Sequence, residues 1–159
     1  MPDNLSLEQA VQRLVDIEEI KQLKARYALA CDDDYNPDTL AEMFTEDATW
    51  NGGFMGQAEG KENIRAFFAG ASDLVAFAVH GVGNPLIEIN GDTATGHWYL
   101  HQPMTLKPDN ATYWLVAQYE DQYVRTEDGW RFQHVLVKPR GFTPYEAGFG
   151  KELMADLPI

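Results

Sequence analysis

The sequence predicts an α+β fold, with helices in the first half of the chain and an antiparallel sheet in the second. From Leu7 to Phe68, apolar residues recur mainly at helical spacing. After Ser72 the chain is rich in β-branched and aromatic residues, and Asn90-Gly91 is a strong hairpin signal. Helices followed by a meander are typical of α+β domains. At this length we expect residues 1–159 to form one domain.

The helical half has recognisable start signals. Ser6 and Gln9 match a capping box, and Asn36 before Pro37 is typical of an N-cap followed by a first-turn proline. We expect a long first helix from Leu7 past Leu23, a short second helix ending near Thr45, a short strand at Ala48–Trp50 and a third helix at Gly60–Phe68.

The sheet half predicts a curled sheet around a cavity. Strands are expected at Val75–Val82, Leu86–Ile89, Thr93–Gln102, Tyr113–Arg125 and Trp130–Lys138. Strands this long usually curl, and helices on the concave side then enclose a cavity. In Thr93–Gln102, alternation predicts that Trp98 and Gln102 face inward, with His97 and His101 outward. The tail from Pro139 should be irregular and cover a pocket or a neighbouring subunit.

Composition narrows the function classes. Twelve basic against 25 acidic residues give a net charge of -13, which argues against nucleic acid or an anionic membrane as partner. No phosphate-binding glycine motif is present, so we expect no cofactor. His97 and His101 lack a third ligand, so we expect no metal. The lone Cys31 and an N-terminus unlike a secretory signal predict a cytoplasmic protein.

His80 is the histidine most in need of explanation, because it interrupts the apolar run LVAFAVHGVGNPLI. A buried imidazole must find a partner, either backbone in a plain core or an acid in a functional site. Asp32, at the end of the first helix, is the candidate acid, whereas Asp33 and Asp34 are expected to be solvated. Tyr27 lies about 140° from Asp32 on an ideal helix, so both face one cavity only if the helix ends or bends between them.

Several stretches together resemble a known family: DIEEIKQLKARYALACD, LAEMFTEDATW, GKENIRAFF, His80 with Asn84-Pro85, GDTATGHWYL and DGWRF. In order and spacing they are similar to the SnoaL-like group of the nuclear transport factor two-like superfamily. The resemblance implies a cone-shaped α+β barrel. In that barrel a strongly bent, mostly antiparallel sheet wraps three helices around a deep apolar pocket, and dimers are frequent.

Within that group the chain most resembles the bile-acid dehydratase and scytalone dehydratase type. There a tyrosine and an aspartate on the first helix face a histidine on the sheet, positions matched here by Tyr27, Asp32 and His80. Bile-acid dehydratases carry a further aspartate where this chain has Gln102. Gln102 can bond a substrate oxygen but cannot act as an acid or base near neutral pH, so the reaction or the substrate differs.

These observations favour a cofactor-independent lyase or isomerase acting on a hydrophobic alicyclic, steroid-like or polyketide-like molecule. His80 would be the base, Asp32 would orient it, and Tyr27 would donate a hydrogen bond to the developing oxyanion or the leaving hydroxyl. Gln102 would orient the substrate. The candidate cavity walls are Phe54, Phe67, Phe68, Trp98 and Trp114.

Two alternatives stay open. The polar group could be a satisfied buried network in a non-catalytic ligand-binding or dimerisation module. The chain could instead be a subunit of a larger complex, and an apolar outer sheet surface would then be expected. A dyad within hydrogen-bond reach that opens onto a sizeable cavity would favour catalysis. If the protein is the proposed enzyme or a ligand-binding or dimerisation module, we expect a homodimer or a higher homo-oligomer with a hydrophobic small molecule as substrate or ligand.

Overall fold

A computed structural model describes residues 4–159 as four helices and a seven-stranded sheet. A single turn of 3-10 helix at Gly53–Met55 lies between the first two strands. The helices are α1 (Leu7–Asp32), α2 (Pro37–Ala41), α3 (Lys61–Leu74) and α4 (Gly148–Lys151). The strands are β1 (Phe44–Asn51), β2 (Gln57–Glu59), β3 (Val75–Ala78), β4 (Gly81–Asn90), β5 (Thr93–Leu106), β6 (Ala111–Thr126) and β7 (Gly129–Pro144).

The sheet is strongly curled and mostly antiparallel, which confirms the predicted α+β cone. Its order is β2-β1-β7-β6-β5-β3, and β4 also pairs with β5. Only β1 and β7 run parallel. Strand β5 is long enough to pair with β3 near one end and with β4 along the rest. The break between β3 and β4 therefore faces the middle of β5.

Helix α1 is continuous and fills the concave side of the sheet. Its capping box is formed as predicted: Gln9 N–H donates to Ser6 Oγ at 3.1 Å, and Ser6 N–H donates to Gln9 Oε1 at 2.9 Å. Ile20 and Leu23 on its inner face are fully buried. The helix thus runs through the core until Asp32.

Several predicted boundaries were wrong. Helix α2 ends at Ala41, because the chain joins β7 as strand β1 from Phe44, well before the expected strand. The expected strand Val75–Val82 is interrupted at Val79 and His80, which separate β3 from β4. Residues beyond Pro139 are not irregular at first, because β7 stays paired with β6 through Pro144.

Inward and outward residues alternate along β5 as predicted. Trp98 and Gln102 are buried, whereas His101 is exposed and His97 is partly exposed. A hollow on the outer face is lined largely by polar side chains, among them Glu88, His97 and His134. Within residues 4–159, no helix is both long enough and apolar enough to cross a membrane.

Candidate active site

His80 lies in the break between β3 and β4. Ala78 pairs with Met104 and Gly81 pairs with His101, so the break lies opposite Gln102 on β5. The Val79 N–H donates to the Pro103 carbonyl at 3.1 Å, which fixes the chain on one side of the break. The ordinary ladder is absent at His80, so its backbone N–H needs another acceptor.

Asp32 at the C-terminal end of α1 supplies that acceptor and also binds the imidazole. Its Oδ1 accepts from the backbone N–H of His80 at 2.9 Å and from the ring Nδ1 at 2.7 Å. A carboxylate only accepts, so Nδ1 carries a proton, and in the neutral imidazole Nε2 is then the nitrogen with the free lone pair. The imidazole is nearly enclosed, with 6% of its side chain exposed, against 29% for Asp32. The two residues form the expected dyad.

The dyad adjoins a cavity of about 440 Å³ between the helices and the curled sheet. His80 and Gln102 line it, as do three of the predicted walls, Phe54, Phe67 and Phe68. The lining is mainly apolar, and its volume is within the range of small-molecule sites. Leu157 from the tail also lines the cavity, so the tail contributes to its wall.

The other two predicted walls do not line the cavity. Trp98 faces inward but lies deeper in the core, where its Nε1–H donates to Tyr123 Oη at 3.0 Å. Trp114 is partly exposed between the buried residues Tyr113 and Leu115, so it occupies the opposite face of β6. The assignment of these two residues to the cavity was therefore wrong.

Tyr27 lines the cavity, whereas Asp32 lies outside its lining. Helix α1 continues through Asp32 and does not end between them, and Asp32 lies outside the cavity lining. The two residues do not share one cavity surface. The imidazole of His80 connects them instead, because it contacts Asp32 through Nδ1 and faces the cavity itself.

The Tyr27 hydroxyl is oriented by its neighbours. Trp50 Nε1–H donates to Tyr27 Oη at 2.9 Å, which uses one of its acceptor positions. Phe68, Tyr119 and Phe132 pack edge-on around the phenol ring. Burial raises the pKa of Tyr27 well above its usual value, so the hydroxyl stays protonated and remains a donor.

Two further cavity residues were not predicted to belong to the site. Tyr35, directly after the acidic run, is buried and packs its ring against the His80 imidazole at 5.6 Å. Cys31 is also buried in the wall. Burial raises the pKa of its thiol, with a smaller contribution from Asp32, so the thiol is a poor nucleophile. Burial is the main cause of this shift.

A buried ion pair lies next to Tyr27. Lys24 Nζ contacts Asp121 Oδ2 at 2.7 Å, and both side chains are almost completely buried. Tyr123 Oη–H donates to the same oxygen at 2.7 Å. The Lys24 ammonium also lies 3.3 Å from the ring centroid of Tyr119. Burial lowers the pKa of Lys24 and raises that of Asp121, and their mutual attraction opposes both shifts.

A second polar cluster anchors α1 near its middle, at Asp16. Arg125 on β6 donates two hydrogen bonds to the buried Asp16 carboxylate, at 2.7 and 2.9 Å. Trp130 Nε1–H donates to the same group at 3.2 Å. These donors hold the pKa of Asp16 below its usual value, with Arg125 as the largest cause. Within residues 4–159, no cluster of three or more His, Cys, Asp or Glu residues is arranged to hold a metal ion.

The cone fold and the His–Asp dyad beside its cavity define a class of small α+β proteins with a largely apolar internal site. The SnoaL-like domain model matches residues 12–135, and the chain belongs to that family. An uncharacterized protein of Mycobacterium tuberculosis (strain ATCC 25618 / H37Rv) is 30% identical over 124 residues, which cover 77% of this chain and 84% of the relative.

Solved structures show the same fold. A hexachlorocyclohexane dehydrochlorinase (LinA) of type 2 superposes with a TM-score of 0.81 at 22% identity, covering 94% of this chain and 99% of its own. A protein provisionally described as a scytalone dehydratase, from Novosphingobium aromaticivorans DSM 12444, gives a TM-score of 0.79 at 20% identity, covering 94% and 97%. At these identities the likeness concerns the fold.

Proposed function

We propose that this protein is a cofactor-independent lyase or isomerase that removes a proton from a hydrophobic alicyclic, steroid-like or polyketide-like molecule. The observation that carries the proposal is the His80–Asp32 dyad, whose free Nε2 belongs to a residue that lines a largely apolar cavity. A base needs an unprotonated nitrogen beside the substrate, and in the neutral imidazole the Nδ1–H bond to Asp32 makes Nε2 that nitrogen. When Nε2 takes the proton, Asp32 stabilises the imidazolium.

The other polar groups of the cavity fit an uncharged substrate. Tyr27 stays protonated and can donate to the oxyanion that forms as the proton leaves, or to a departing hydroxyl. Gln102, opposite His80, can bind a substrate oxygen without changing charge. The dehydratase and dehydrochlorinase names of two fold neighbours accord with elimination chemistry.

Deuterium exchange tests this proposal without knowledge of the leaving group. A panel of cyclic ketones is incubated with the protein in D₂O, and incorporation next to the carbonyl is followed by mass spectrometry. The wild-type protein should exchange at least one ketone roughly 10²- to 10⁴-fold faster than His80→Ala, because a positioned base contributes about that much. His101→Ala, an exposed histidine on the outer face, should exchange like the wild type.

Two outcomes would contradict the proposal. Exchange that survives in a folded His80→Ala variant would remove His80 as the base. Ketones that bind without any exchange in the wild type would favour the non-catalytic ligand-binding module. Circular dichroism of each variant checks that the fold is intact.

A further inference from the structure

Tyr35 occupies an unusual backbone position beside the dyad. Asp34 and Tyr35 are both left-handed, with φ of 54° and 52°, directly after α1. Glycine usually takes such positions at helix ends, and a bulky aromatic side chain is unfavourable there. The turn is held by hydrogen bonds from Tyr35 N–H to the Cys31 carbonyl and from Asn36 N–H to the Ala30 carbonyl, both 3.1 Å. Backbone strain of this kind is concentrated at functional sites, so the Tyr35 side chain is a candidate functional group.

The Tyr35 ring is held rigidly. It stacks on Phe68 with a centroid separation of 6.3 Å and an interplanar angle of 11°, and it meets the His80 ring edge-on. Only 9% of the residue is exposed, and it lines the main cavity. A phenylalanine would fill the same space, so packing alone does not call for the hydroxyl.

The polar groups near Tyr35 retain unused hydrogen-bonding capacity. Gln102 is 4% exposed, and its best-formed side-chain bond runs from Nε2 to Met104 Sδ at 3.6 Å, a weak acceptor. Burial raises the pKa of Tyr35, and a side-chain hydrogen bond with Gln102 partly opposes that effect. Both side chains line the cavity, so a ligand atom can take up the hydrogen-bonding positions that they do not use with each other or with Met104.

We propose that Tyr35 and Gln102 together bind an oxygen atom of the substrate beside His80, and so select molecules with a carbonyl or hydroxyl group at that end of the cavity. This inference rests on the proposed use of the cavity for a small hydrophobic molecule. Because Gln102 lies opposite His80 across the strand break, the bound oxygen is close to the carbon from which His80 takes the proton. Tyr35 is therefore a specificity-determining residue.

A pair of probes that differ in one oxygen isolates this contact. 2-Naphthol and 2-methylnaphthalene have nearly the same shape, and their dissociation constants can be measured by calorimetry. Tyr35→Phe and Gln102→Met should each weaken 2-naphthol about three- to tenfold, the equivalent of one net hydrogen bond, and leave 2-methylnaphthalene within about twofold.

Tyr113→Phe is the matched control. Tyr113 is also a buried tyrosine stacked on a phenylalanine, at 4.7 Å and 8° from Phe142, but its hydroxyl donates to Asp109 and it does not line the cavity. This variant should change the affinity for neither probe. Thermal unfolding of all variants separates loss of binding from loss of structure.

The proposal is wrong if the wild type fails to bind 2-naphthol or binds both probes equally. It is also wrong if Tyr35→Phe weakens both probes alike, or if Tyr27→Phe alone removes the preference for 2-naphthol. These measurements need no turnover, so their result is independent of deuterium exchange by His80.

Discussion

The buried pair of Lys24 and Asp121 allows a quantitative test of how the core beside the cavity is stabilised. Lys24→Met removes the cation and leaves the Asp121 carboxylate buried, with one of its oxygens, Oδ1, lacking a hydrogen-bond partner among residues 4–159 already in the wild type. Removing one member of a buried pair costs about 3–5 kcal/mol, because the remaining charge is uncompensated. Asp121→Asn should cost a similar amount, since it leaves the ammonium buried.

The double variant Lys24→Met/Asp121→Asn should lose much less, about 1–3 kcal/mol, because no buried charge remains. The asparagine also keeps an oxygen that can accept from Tyr123. The two single losses should therefore exceed the loss of the double variant by at least about 3 kcal/mol in a double-mutant cycle.

Urea unfolding at neutral pH, followed by circular dichroism, measures these free energies. Lys138→Met is the control, because its pair with Glu120 has both side chains about half exposed and should contribute at most about 1 kcal/mol. If Lys24→Met lost less than about 1 kcal/mol, or if the two single losses were simply additive, the pair would not be coupled as the structure indicates.

Two further predictions concern stability. Asp16 has a folded-state pKa below its ordinary value of 3.8, so its bond to Arg125 should add stability above about pH 4 that is lost as pH falls through the folded pKa. The difference in free energy of unfolding between wild type and Asp16→Asn, measured in urea, should be constant from pH 7 to 5 and shrink at lower pH; a difference unchanged at pH 3 would contradict this. Gly96→Ala places a Cβ 2.8 Å from the Tyr123 hydroxyl and should lower the free energy of unfolding in urea by about 1–3 kcal/mol. The Cβ of Gly83→Ala meets nothing within 4 Å, so this control variant should lose much less. Equal losses would contradict the close packing at Gly96.

The sequence predicted the two halves of the fold, the face of β5 that is buried and the partners of the dyad. Alternation along a strand indicates which face a residue takes, but not how far along the cone it lies. Trp98 was therefore correctly placed inside and wrongly placed in the cavity, because its position corresponds to the filled core around Tyr123. Trp114 was assigned to the wrong face of β6, because the sequence does not show how β6 is aligned with β5 and so which of its two faces is buried.

Lys24, Asp121 and Tyr35 escaped prediction for a different reason. Lys24 stands in a helix with many charged neighbours, and its partner lies 97 positions away, so nothing local distinguishes it from a solvated lysine. Tyr35 follows three aspartates in a segment that reads as a solvated turn. Its inward position depends on two consecutive residues with left-handed backbone conformation. That conformation is typical of glycine or asparagine, so a sequence with aspartate and tyrosine there does not predict it.

Side chains at three positions along α1 are each bound to a different point of the sheet, so the spacing between them is fixed. Asp16 is tied to β6, Lys24 meets the same strand farther along, and Asp32 reaches the strand break about 24 Å from Asp16. One inserted residue between Asp16 and Lys24 would turn every later side chain by about 100° and move it about 1.5 Å, separating the dyad and the ion pair together. An insertion or deletion between Asp16 and Asp32 would thus break these contacts, whereas the exposed turn at 127–128 between β6 and β7 can accept one.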